Sequence, residues 1–227
     1  MPIVIEKVTA FVTRPTEAGL ELLLLEHPFA GIQIPAGTVE DETPEEAVLR
    51  EVAEETGIDS ATIRRYLGGD GGPLPEGQRI IAAPTKVYAR PDATSFDWAH
   101  LRKGIQVTVN RRERGFSQVT YEEPDRVPDP QFITMSITGW VPDGMLADTV
   151  MRHFYQLEYN GPSKGRWMAF ADNHTFTLFW APLPDLPEII PPQDEWLAYL
   201  HRGLRGRILR TGAEDWETLK RRSGSGR

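Results

Sequence analysis

Two apolar stretches open the chain. Residues 3–13 (IVIEKVTAFVT) and 20–26 (LELLLLE) predict strands separated by a turn at residues 15–19. The second is almost continuously apolar, as in a strand covered on both faces. The period then changes. Ala47, Val48 and Val52 recur at helical spacing, behind Thr43 as hydroxyl N-cap, Pro44 at the first helical position and Glu46 three residues after the cap. Gly57 supplies the stop.

Beyond this helix a short strand is expected at 61–67, and the glycine-rich run 68–73 reads as a flexible break. Residues 78–90, 104–112, 116–121 and 131–140 alternate as strands do, with Arg114-Gly115 as a hairpin tip. Much of 68–135 therefore reads as an inserted or extended β segment, usable as a dimer interface or as a lid beside a substrate. Strands are expected again at 150–158, 166–171 and 174–181, followed by a helix over 193–200. The domain expected is 1–200, with 201–227 a tail.

The central helix carries the candidate chemistry. Glu51, Glu54 and Glu55 fall at i, i+3 and i+4, so three carboxylates share one face. Like charges at such spacings destabilise a helix by roughly 0.2–0.5 kcal/mol per pair, which solvation or a cation must offset. A hard divalent ion such as Mg²⁺ takes oxygen ligands, binding through one or two carboxylates and a substrate's phosphates. Glu40, Asp41, Glu45 and Glu46 read instead as loop and first-turn charges that favour the helix N-terminus.

The stretch 37–58 resembles the signature of the Nudix hydrolases. Glu42, seven residues, then Arg50, Glu51, Val52, Ala53, Glu54, Glu55, Thr56, Gly57 and Ile58 match its helical half at every defined position. The first half is one residue short, with four residues between Gly37 and Glu42 where the family has five. The resemblance implies an α/β fold, a Nudix-type α/β/α sandwich with a mixed β-sheet, here carrying an extended β insertion. It also implies Mg²⁺- or Mn²⁺-dependent cleavage of a phosphoanhydride in a nucleoside diphosphate linked to another group. Glu51 and Glu55 are the expected metal ligands. Glu54 is a third carboxylate for a second metal or for the water, Arg50 an orienting residue, and the Gly37 carbonyl a further ligand. Two rival readings share the resemblance: pyrophosphate removal from a nucleoside triphosphate, and a Nudix-fold module that binds a nucleotide or protein without cleaving it.

Residues outside the signature offer further groups for the same site. Glu158 or Asp172 could add an acidic ligand, as could the acidic 122–125 run, while Arg152, His153 and His174 stand nearby in sequence. Trp167, Phe170, Phe179 or Trp180 could stack a base, although aromatic residues on strands usually belong to the core. Arg111, Arg112 and Arg114 are assigned to a solvent-facing hairpin.

Composition narrows the partners. The net charge of −8 argues against a chain that coats nucleic acid, although 201–227 carries eight Lys or Arg against three Asp or Glu. The absence of cysteine excludes disulfides and cysteine catalysis. No apolar run approaches a membrane span and the opening residues are not a signal peptide, so a cytoplasmic location is the default. The expected partner is a nucleotide-derived small molecule, with no membrane, and a homodimer is the oligomer that extra strand edges favour.

Overall fold

The computed structural model describes residues 3–162, 164–171 and 174–211, with side chains to Arg205 in the final helix. The first sheet is built from β1 (Val4–Thr16), β2 (Gly19–His27), β3 (Gly31–Gln33), β4 (Ala36–Thr38), β5 (Thr62–Pro73), β13 (Thr149–Glu158), β14 (Arg166–Ala171) and β15 (His174–Pro182). Its order is β14-β15-β2-β1-β13-β5, with β3 on β2 and β4 on β1. β1 and β13 run parallel and the other pairs antiparallel, so the sheet is mixed.

Helices cover both faces. On one, α1 (Pro44–Thr56) buries Ala47, Val48 and Val52 against Val8, Ala10, Leu23, Leu25, Tyr155 and Leu178. On the other, α2 (Gln193–Thr211) sets Leu200, Trp196 and Tyr199 against Phe11, Leu22, Leu24 and Phe154. Alternate residues of β1 and β2 thus feed opposite cores, which explains why β2 reads as continuously apolar. The result is an α/β/α sandwich. No helix among the described residues is long and apolar enough to cross a membrane.

A second sheet is inserted between β5 and β13. It comprises β6 (Gln78–Ile81), β7 (Thr85–Tyr88), β8 (Asp97–Leu101), β9 (Gln106–Glu113), β10 (Phe116–Pro124), β11 (Ile133–Pro142) and β12 (Leu146–Ala147), in the order β12-β6-β9-β10-β11-β7-β8. It has its own core of Ile81, Val87, Leu101, Val107, Val119 and Val141, and meets the first sheet where Ile80 and Ala147 pack on Ile5. Arg114 and Gly115, both at positive φ, form the expected tip between β9 and β10.

Four expectations change. The run 68–73 is no flexible break but the second half of β5, paired along β13. Its glycines permit close approach, since a Cβ on Gly71 would collide with the Val150 carbonyl oxygen and Met151 Cα. The segment 78–90 is two strands, interrupted before Pro84, which has no amide proton to continue a ladder. The second sheet reaches past residue 135 to Ala147. The final helix passes residue 200 and continues to Thr211, within the stretch expected as tail, while 212–227 lie outside the described residues.

Candidate active site

The helix start forms as its sequence requires. Thr43 Oγ1 accepts from the Glu46 amide at 3.3 Å while Glu46 Oε2 accepts from the Thr43 amide at 2.9 Å, closing a capping box. Gly57 closes the other end at φ 67°, in the left-handed region, with its N–H on the Ala53 carbonyl at 2.9 Å. Fixed at both ends and buried along one side, α1 presents its carboxylates to the loop that precedes it.

Arg50 ties that loop to the helix. Its Nε and Nη2 donate to Glu42 Oε1 at 2.9 and 2.7 Å, and Nη2 also donates to the Thr38 carbonyl at 3.0 Å. Nη1 lies 3.0 Å from Glu51 Oε1 and 2.9 Å from Glu54 Oε2. One guanidinium therefore holds three carboxylates, and its bond to Glu42 is the foremost cause that raises its own pKa. Arg50 orients the acidic groups, and the one-residue deletion before Glu42 leaves that contact intact.

Glu51 and Glu55 turn inward to the same tripeptide. Glu51 Oε1 accepts from the Thr38 amide at 3.2 Å and Glu55 Oε2 from the Ala36 amide at 3.0 Å, the two amides flanking Gly37. The Glu51 carboxyl occupies the space a Cβ on Gly37 would need. Burial raises the Glu51 pKa, opposed by the Arg50 charge. Glu54, with 58% of its side chain exposed, stays at the solvent edge.

This donor set fits a hard divalent ion. Two carboxylates meet at the short strand β4, one of them desolvated and 3.0 Å from the Arg50 guanidinium. Among the described residues no three His, Cys, Asp or Glu side chains group into a complete cage. The fitting scheme is thus the open one, in which one or two carboxylates share the ion with water and phosphate oxygens.

Residues 6–99 match the NUDIX domain model, a stretch that spans most of β1, the acidic loop and α1. Over that stretch the chain is similar to the Nudix family. Among solved structures it is similar to the NUDIX domain of Shewanella oneidensis NrtR complexed with ADP ribose, at 15% identity, 90% coverage of each chain and a TM-score of 0.45. A likeness of that degree says nothing about what this chain binds. No curated protein matches the sequence.

Other candidates fall at varied distances from the Nudix helix. Glu158 pairs with Arg64 at 2.8 Å, five residues along β13 from the row that contains Gly37, or roughly 16 Å at strand rise. It does not join Glu51. Asp172 lies outside the described residues. Asp125 accepts from the Gln131 and Phe132 amides at 2.8 and 3.2 Å, holding its own loop. Trp180 and Trp167 pack with the sandwich core, Phe179 with the core beneath α2, and Phe170 is 70% exposed. Arg111 lies over Trp140 at 4.9 Å in the second sheet.

Three groups near the Nudix helix were missed in the sequence or set aside. Lys7, beside Arg152 on the neighbouring strand, donates to Thr38 Oγ1 and the Gly104 carbonyl, both at 3.4 Å. The β8–β9 turn reaches the acidic loop, with Lys103 Nζ 3.2 Å from the Glu40 carbonyl. His153 bridges Glu6 Oε1 at 3.1 Å and the Tyr66 hydroxyl at 3.2 Å. Only the alternation of β1, which puts Lys7 on the face opposite Val8, offered a local signal for any of them.

Proposed function

We propose that this protein hydrolyses a phosphoanhydride in a nucleoside diphosphate linked to another group, using Mg²⁺ or Mn²⁺. The observation that carries this reading is the Glu51 carboxyl held on Gly37 by Arg50 and the Thr38 amide, with Glu55 beside it. Such an arrangement spends a buried carboxylate where an apolar side chain would cost nothing, and a cation recovers that cost.

Glu51 and Glu55 would hold the ion in this reading, and the Gly37 carbonyl would be a further oxygen ligand. When bound, the ion supplies Lewis acidity toward phosphate oxygens and lowers the pKa of water. Glu54, the exposed member, takes the proton from the attacking water. Arg50 touches no reacting atom; it keeps Glu51 and Glu54 from rotating away and offsets their mutual repulsion. The leaving phosphate departs as the P–O bond opposite the water breaks.

A second reading has its own support. Arg50 already neutralises much of the acidic cluster without any ion, which suits a Nudix-fold module that binds a nucleotide and does not cleave it. Phosphate release from a nucleotide panel with Mg²⁺ or Mn²⁺ separates the two, comparing wild type with Glu51→Gln and Glu55→Gln. Turnover of one substrate class that both substitutions abolish supports the hydrolase, and the phosphates released distinguish a linked diphosphate from a triphosphate. Nucleotide binding without turnover across the panel overturns it.

A further inference from the structure

Lys7 and Arg152 are register partners on the parallel strands β1 and β13, so their side chains leave the same face of the sheet side by side. They belong to a row that runs Asp70, Arg152, Lys7, Thr38 across β5, β13, β1 and β4. Among the described residues neither cation has an ion pair, and Asp70, the row's one acid, makes none with Arg152. Both are partly buried and both remain reachable from solvent.

Arg152 is nonetheless firmly placed. Its Nη1 donates to the Val8 carbonyl at 3.2 Å and Thr9 Oγ1 at 3.0 Å, and the guanidinium lies 4.1 Å over the Trp196 ring. Its Nε and Nη2 donors have no protein acceptor among the described residues. Among the described residues Lys7 is held by two long bonds, to Thr38 and to Gly104 in the β8–β9 turn. Two adjacent desolvated cations are unfavourable: burial and then the Arg152 charge lower the Lys7 pKa to about 8, while burial lowers Arg152 to about 10. A fold seeking only stability would place apolar side chains here.

The pair also adjoins the acidic site. Thr38 serves both, its amide donating to Glu51 and its hydroxyl accepting from Lys7. Glu51 is the acid whose charge Lys7 feels. An ion-binding carboxylate beside unpaired cations suits a ligand whose oxygens meet a metal at one end and donors at the other. The planar fork of Arg matches phosphate oxygens in two-point contact, and Lys adds a point charge.

We infer that Lys7 and Arg152 form an oxyanion slot that takes the diphosphate of the substrate, with Arg152 pre-set by Thr9 and Trp196 and Lys7 by the second sheet. This assignment rests on the phosphoanhydride reading above and gives the inserted sheet a part in it, since Gly104 is one of the two anchors of Lys7. Gly104 lies at φ +87°, and a Cβ there would press on Thr38. A side chain at residue 104 would therefore disturb the slot as well as the turn.

The test is calorimetric titration with inorganic pyrophosphate and no added metal, on the full chain and on Lys7→Met, Arg152→Met and Glu51→Gln. Wild type binds, more weakly as salt rises; each cation substitution weakens affinity by about 10- to 100-fold, as expected for a lost charge-assisted contact. Glu51→Gln keeps or tightens the affinity. In turnover the cation substitutions raise KM more than they lower kcat, whereas Glu51→Gln lowers kcat. Unchanged pyrophosphate affinity in both cation variants, or no binding by wild type, overturns the slot. Lys7→Met carries the test if Arg152→Met fails to fold, and its melting temperature is expected to hold or rise; a fall with unchanged affinity means that Lys7 is structural. Absence of wild-type turnover across the nucleotide panel would defeat the hydrolase reading while leaving the metal-free titration to judge the slot.

Discussion

Gly37→Ala is the most direct probe of the acidic site, because its backbone conformation tolerates alanine and only the neighbour does not. The new Cβ would overlap the Glu51 carboxyl, which must swing out. Gly37 cannot retreat, being paired with Val8 in the β1–β4 ladder. Glu51 then forfeits the Thr38 amide at 3.2 Å and the Arg50 contact at 3.0 Å. Hydrogen bonds to charged groups contribute roughly 1.5–3 kcal/mol each. Discounting the Arg50 contact because that side chain is partly exposed leaves a loss of about 2–4 kcal/mol, out of a typical total of about 5–15. The variant should fold, melt lower and lose turnover. Urea unfolding of Gly37→Ala, Glu51→Ala and the double variant measures this as a cycle. With Glu51 removed the clash vanishes, so the glycine substitution should then cost less than about 0.5 kcal/mol, within the additivity error. An equal cost in both backgrounds would refute the claim that the carboxyl is what Gly37 accommodates.

Further expectations follow from other contacts. Arg50→Met removes the group shared by Glu42, Glu51 and Glu54, so the variant should lose stability near neutral pH and regain part of it in acid, as Glu51, whose pKa burial raises, takes up a proton; equal losses at neutral and acid pH would contradict the hub. Lys7 has a folded pKa lowered to about 8, with Arg152 and Glu51 the charged groups it feels. Between pH 8 and about 10.5 the unfolded chain binds the extra proton, so wild-type stability should rise across that window relative to Lys7→Met, read from melting temperature against pH. Gly71→Ala drives a Cβ into the β13 backbone and should cost about 1–3 kcal/mol or more in urea unfolding, whereas Gly72→Ala, with open space, should cost little.

The parts legible in the sequence are those fixed by neighbours along the chain. Thr43, Glu46 and Gly57 cap α1 through contacts within one turn, and the spacing of Glu51, Glu54 and Glu55 sets their common side. The glycines of β5 favour a break by local propensity, and only the close approach of β13, some 80 residues on in sequence, reverses it. Lys7 and Arg152 meet across 145 positions, with nothing local in either to announce the other. The reach of the β8–β9 turn to Glu40 is equally non-local. Tertiary apposition, not secondary structure, is what escaped.

The parallel pairing of β1 with β13 has a kinetic consequence. The first sheet cannot close until a strand beginning at Thr149 arrives beside one beginning at Val4, and the entire second sheet lies in the intervening chain. Closing so long a loop from an unstructured coil carries an entropic penalty that slows folding. Prior folding of the second sheet shortens the effective loop, since its own core brings Gln78 of β6 and Ala147 of β12 into one unit. On a ribosome the acidic loop and α1 emerge long before β13, and wait for it. The inserted sheet thereby sets the time at which the sandwich, and with it the cationic row across β13 and β1, comes into being.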